Sequence, residues 1–276
     1  MKRNPFALRL AAGALCALLA SGCSILPYES PEEQRAAQEA AEVSRVQAET
    51  VVDPAALLTA PLRLSRAMVT ESGLTLASYQ VTFPQFAENE AKGQSFARIN
   101  RYFQNEFTGL EEDCDSLFSR ARKHYGDNWP AVTAANADYV QTVDYTLLDV
   151  PEGYLCIRLD RTTALNSQRE TESQAVVFLL DNGWELSLET LLGSDYAQAA
   201  PMLLEDILAW CDKQGIEITG RDALTLEDFS QGFALTGEGF IFYTQPFLLN
   251  SRDGTRYAIP VSLEKYQEFL DPAGSQ

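Results

Sequence analysis

Few side chains in this 276-residue sequence are equipped for catalysis, and their spacing argues against most of its forms. The one histidine, His124, sits in the run Arg120-Ala121-Arg122-Lys123-His124. A zinc hydrolase needs two or three histidines with a carboxylate, and a nucleophilic triad needs a histidine oriented by an acid. His124 instead falls in a cationic patch at the carboxyl end of an expected helix, where it complements the helix dipole. Glu111, Glu112, Asp113 and Asp115 form the densest acidic cluster. On one helix they point to several sides, so a solvated surface is expected rather than a metal site. Gly237-Glu238-Gly239 lacks the further glycine of a dinucleotide loop and reads as a hairpin turn. No phosphate loop is present, and no cofactor is expected. Carboxylate pairs for glycoside cleavage meet only in a fold, and none stands out here.

The cysteines divide by position. Cys16 lies in the apolar run Leu10 to Ala20, which follows Lys2, Arg3 and Arg9. A cationic end, a short apolar helix and small residues are what an export signal requires. The run is too short to span a bilayer, which takes roughly 20 apolar residues. Leu19-Ala20-Ser21-Gly22-Cys23 resembles a lipobox, in which Cys23 is acylated and becomes the amino terminus. The expected location is therefore extracytoplasmic, with lipid on Cys23 holding the protein to the outer face of the cell membrane or to an outer membrane. Cys114, Cys156 and Cys211 remain. Their odd number and long spacings specify no disulfide framework. Their apolar contexts suit small core residues, and whether any two bridge stays open.

The formal charge is −18, and loss of Lys2, Arg3 and Arg9 with the signal takes it to −21. That balance excludes a nucleic-acid partner, which needs a basic face. It suits a cationic partner steered by the negative field, or serves solubility alone.

Around these residues the sequence organises into four stretches. Residues 1–22 are the signal and 23–61 the anchor with a tether. Glu32 to Glu49 is built of good helix formers with little apolar surface. Residues 62–181 form a first α+β subdomain. Leu62 to Leu64 and Leu74 to Phe83 alternate about Ser72-Gly73, a hairpin pattern. Phe96, Ile99, Phe103, Phe107, Leu110, Cys114, Leu117 and Ala121 then recur at three or four residues. This predicts one amphipathic helix of about seven turns, with a bend allowed at Gly109. Tyr139 to Leu148, Tyr154 to Leu165 and Ser173 to Leu180 read as an antiparallel meander. Residues 182–272 form a second, smaller α+β half. It begins with the Asp181-Asn182-Gly183 turn and Trp184, and Ser187 caps a short helix, Leu188 to Leu192. A longer helix places Leu203, Leu204, Ile207, Trp210 and Cys211 inward and stops at Gly215. Thr225 to Asp228 looks like a capping box. Phe233 to Leu235, Phe240 to Tyr243 and Arg256 to Val261 read as strands, and Ser262 to Leu270 as a closing helix. The expected fold class is α+β, an antiparallel sheet packed by a long helix.

The order of motifs in the second half resembles the extracytoplasmic domain of unknown function in lysozyme-responsive anti-sigma factors of the RsiV type. The matching residues are Gly183-Trp184-Glu185-Leu186-Ser187-Leu188, Phe233-Ala234-Leu235-Thr236, Gly239 to Tyr243, and Gly254 with Tyr257-Ala258-Ile259-Pro260-Val261. Leu74 to about Leu180, with Phe83-Pro84 and Asn100, resembles the domain that partners it. Where those factors carry a cytoplasmic segment and a membrane span, a lipobox stands here, so no sigma factor is expected to be held. The family's Tyr-rich segment around its proline is also missing after Pro246. The resemblance implies a non-catalytic surface lipoprotein that binds or senses a protein ligand, possible ligands being lysozyme-like or other cationic envelope-active proteins. Ligand contacts are then expected on loops, at Glu238 and at Asn250, Arg252, Asp253 and Arg256. The alternatives are an accessory lipoprotein for a membrane partner, or an enzyme acting on glycan through carboxylates.

Overall fold

The computed structural model describes residues 53–88, 93–166, 168–230 and 232–270. The export signal, Cys23 and the Glu32 to Glu49 tether lie outside these residues. Strands β1 (Leu62–Val69) and β2 (Thr75–Phe83) pair as the expected antiparallel hairpin. The chain then crosses through helices α1 (Gly93–Phe107) and α2 (Leu110–Tyr125) and returns as β3 (Tyr139–Leu148). Because the crossover is helical, β3 lies parallel to β2. β4 (Tyr154–Leu165) and β5 (Gln168–Leu179) complete an antiparallel meander. The sheet is five-stranded and mixed, in the order β1-β2-β3-β4-β5, and the architecture is α+β.

The apolar stripe from Phe96 to Ala121 is carried by two helices instead of one. Gly109 has φ 104, a backbone state that a side chain makes costly. The helix therefore stops and restarts, and both segments pack on the sheet. Their inner residues Phe96, Ile99, Phe103, Cys114, Leu117 and Ala121 bury against Tyr79, Val81, Phe83, Ile157 and Phe178. Asn100 locks α1 in place: its side chain accepts from Phe86 N–H at 2.9 Å and donates to Phe86 carbonyl at 2.8 Å. Residues ahead of Leu62 join the fold too, since Thr59 N–H donates to the Gln85 carbonyl at 2.8 Å and Ala87 N–H to the Leu57 carbonyl at 2.7 Å.

β4 and β5 are buried on both faces. Leu155, Ile157, Val176 and Phe178 point to the helices, whereas Tyr154, Cys156 and Val177 point the other way, into a second core. Successive strand residues face opposite sides, so one pair of strands serves two cores. The second core is closed by helices α3 (Leu188–Leu192), α4 (Tyr196–Lys213) and α5 (Glu227–Ser230), and by strands β6 (Phe233–Leu235), β7 (Gly239–Tyr243) and β8 (Ala258–Ser262). These three strands form an antiparallel sheet.

Gly183 opens this half at φ 72, and a Cβ there would meet the Ser95 carbonyl oxygen at 2.3 Å. Ser187 caps α3 by accepting from Thr190 N–H at 3.0 Å. Thr225 N–H and its hydroxyl both donate to the Asp228 carboxylate, at 2.8 and 2.9 Å. The expected closing helix is instead two 3-10 turns, Leu263–Lys265 and Gln267–Phe269. They are separated at Tyr266, φ −119 and ψ 1, whose ring is wholly buried and whose hydroxyl donates to Asp206 at 2.8 Å. Anchoring that ring keeps the backbone out of a regular helix. Leu263, Tyr266 and Phe269 still face inward as expected. Cys114, Cys156 and Cys211 are all buried and free. Among the described residues, no helix is long and apolar enough to cross a membrane.

Candidate functional site

Helix α4 ends at Lys213, and Gly215, with φ 69, turns the chain sharply away. The outgoing segment is tied to the long β7–β8 loop where Thr219 N–H donates to the Leu249 carbonyl at 2.8 Å. Between them lies a concavity of about 510 Å³. Trp210, Gln214, Ile216 and Glu217 form one wall; Asn250, Asp253 and Tyr257 form the other.

The loop wall is braced from within. The Asn250 side chain accepts from Arg252 N–H at 2.9 Å, and Asp253 N–H donates to the Asn250 carbonyl at 3.0 Å. Asp253 accepts from Thr255 twice, from its hydroxyl at 2.6 Å and its N–H at 3.0 Å. Those bonds, the hydroxyl's first, hold the Asp253 carboxyl below the usual range. It therefore stays charged at neutral and mildly acidic pH. Phe247 stands exposed beside Gly254, in the left-handed region at φ 65.

Among the described residues, this concavity combines two carboxylates, two carboxamides and two aromatic rings, with no lysine or arginine in its walls. Carboxylates attract a cation, ring faces stabilise an ammonium or guanidinium, and amides supply directional hydrogen bonds. The arrangement suits an organic cation or a cationic side chain.

The structure gathers two of the five expected contact residues here, Asn250 and Asp253. Arg252 shares their loop, is exposed and does not line the concavity. Arg256 turns towards β5, with its guanidinium 3.4 Å from Glu172. Glu238 sits at the other end of β7, in a turn where Gly237 N–H donates to the Asp149 carbonyl at 2.8 Å. The five therefore do not form one surface. Sequence reasoning missed Glu217, Gln214 and Tyr257, and assigned Trp210 inward, where it is only half-buried. No periodicity marks them, because they meet only when the end of α4 packs beside the loop.

The remaining candidates behave as surface. His124 Nε2 lies 3.0 Å from the Asn136 side-chain oxygen, exposed. Glu111, Glu112, Asp113 and Asp115 are exposed on α2, and Asp115 pairs with Arg66 at 3.0 Å. Among the described residues no group of three or more histidines, cysteines and carboxylates is placed to hold a metal ion.

No family model matches this chain, and no curated protein does. Solved structures do. One is a DUF3298 family member from Bacteroides fragilis, at 13% identity and a TM-score of 0.51, over 78% of this chain and 94% of that one. Another is a DUF3298 family protein from Pseudomonas aeruginosa, at 12% identity and a TM-score of 0.44, over 80% and 96%. The structural neighbours are thus proteins of a domain-of-unknown-function family, and at this identity the likeness to the Bacteroides protein is one of fold.

Proposed function

We propose that the protein is a non-catalytic binding or sensing module of the cell envelope, anchored by lipid on Cys23 and directed at a cationic protein ligand. The observation that carries this reading is the acid- and aromatic-lined concavity between α4 and the Asn250–Arg256 loop. A charged side chain entering it meets Glu217 and Asp253 at its rim and the rings of Trp210 and Tyr257. Buried aromatic anchors flanked by charge are what dominate protein interfaces energetically. The net charge of −18 adds long-range steering of a basic partner. The RsiV-type order of motifs from Gly183 to Leu270 supports a lysozyme-like protein as the ligand.

Titration calorimetry of the protein with hen lysozyme, at low and at physiological salt, tests this. Micromolar or tighter binding that persists at physiological salt is the expected result, because a shaped interface is screened less than diffuse attraction. Binding that vanishes with salt, or none at all, removes the lysozyme reading. Metabolic labelling with a palmitate analogue tests the anchor, and label retained after Cys23→Ala would contradict it.

A further inference from the structure

A smaller concavity of about 380 Å³ lies on the other half of the molecule, between edge strand β1 and the end of α2. It differs from the site above in sign. Arg66 and Arg122 both line it, and Met68, Phe118 and Trp129 form its apolar walls. Among the described residues, no lysine or arginine lines the concavities of Glu217 and Asp253 or of Glu185, Glu189 and Glu227.

The two guanidiniums are held differently. Arg66 lies over the Phe118 ring, 5.5 Å from its centroid, and pairs with Asp115 at 3.0 Å. Its charge is thereby balanced, and its guanidinium lies against an aromatic ring. Arg122 comes one helical turn after Phe118 and so shares its side of α2. Among the described residues no carboxylate pairs with it. The negative end of the helix dipole is offset there by Lys123 as well. One uncompensated guanidinium therefore faces a hollow walled by a thioether and two aromatic rings.

We propose that this concavity binds a small organic carboxylate carried on a planar apolar body. The carboxylate would take the guanidinium fork of Arg122 in two parallel hydrogen bonds, a geometry lysine does not offer. The body would lie against Phe118, Met68 and Trp129. Arg66, neutralised by Asp115, contributes from β1 by its contact with the Phe118 ring. A cavity this size accommodates one such molecule and no folded partner.

Benzoate is the probe, with benzyl alcohol as its uncharged analogue. Both are titrated into the protein while the Trp129 indole N–H and Arg122 Nε–H signals are followed by NMR. Saturable benzoate shifts at both signals are expected, with at least tenfold weaker binding in Arg122→Gln and none of that loss in Arg63→Gln. Arg63 is exposed on β1 three residues before Arg66, at a position that faces away from α2. Absence of saturation, equal shifts with benzyl alcohol, or unchanged affinity in Arg122→Gln would each overturn the proposal. Arg122→Lys separates a fork from mere charge: it should bind nearly as poorly as the glutamine variant, and full retention would overturn the bidentate assignment.

Discussion

The two cores share β4 and β5 but are built by different means. The first is made of regular elements: long strands, and two helices whose apolar stripe runs at helical spacing. The second joins one long helix, α4, to short strands of three to five residues, brief helices and 3-10 turns, with extended loops between them. Regular backbone satisfies its own polar groups, so its surface is constrained by the element that bears it. Irregular backbone frees side chains from several segments to converge. The acidic concavity accordingly lies where a helix end, its exit segment and a loop meet. The regular half supports, and the irregular half presents the acidic site.

Substitutions can break that division, beginning at the junction. Gly183→Ala should have the largest effect. A Cβ there would enter the Ser95 backbone at 2.3 Å, and the residue's φ of 72 adds strain. A loss of at least about 3 kcal/mol is expected in urea unfolding, with both cores affected together. Next come adjacent residues of β4 that face different cores. Ile157→Ala should remove about 2–5 kcal/mol from the helical side. Cys156→Ser should remove about 1–3 kcal/mol from the other, because a hydroxyl is more costly to bury than a thiol. If unfolding stays cooperative in both variants, the shared strands couple the two cores; separate transitions would show independent halves.

Buried tyrosines sharpen the comparison on a smaller scale. The Tyr79 hydroxyl, in the first core, is buried with no hydrogen-bond partner among the described residues. Tyr79→Phe should therefore be neutral, or stabilising by up to about 1 kcal/mol. Tyr266, in the second, bonds to Asp206 at 2.8 Å, and Tyr266→Phe should cost about 1–2 kcal/mol. Chemical denaturation that ranks the pair the other way would contradict these environments.

Alkali should weaken both cores by a smaller, graded amount. Burial pushes the Cys156 thiol up from 9.0 to about 12. Burial, with Asp113 nearby, pushes the Tyr79 hydroxyl up from 10.0 to about 12. The folded state thus holds protons that the unfolded chain releases sooner. Stability from these groups is complete below about pH 9 and falls as pH rises towards about 12. Thermal melts across that range should show the decline, and it should be shallower in Tyr79→Phe.

Much of the regular structure was legible because its signals are local. The β1–β2 hairpin, the meander, the Ser187 cap and the Phe96 to Ala121 stripe each follow from residues close in sequence. The parallel β2–β3 pairing was not, since it joins Ala77 to Tyr139 across the helical crossover. Burial of β4 and β5 on both faces did leave a trace, in the unbroken apolar runs Tyr154 to Ile157 and Ala175 to Leu180. The concavity was only half legible. Asn250 and Asp253 belong to a loop with evident turn chemistry, whereas Trp210 looks like any inward residue of an amphipathic helix. Only the packing of α4 against the second core fixes which of its residues reach the rim.

The measurement that tests the account most directly compares hen lysozyme binding across three variants by calorimetry at physiological salt. Trp210→Ala should weaken binding by about 2 kcal/mol or more, as loss of an aromatic anchor does. Asp253→Asn should weaken it by a smaller amount, and Arg122→Gln, in the opposite half, should leave it unchanged. Equal affinity in Trp210→Ala and the unaltered protein would contradict a ligand site in the acidic concavity.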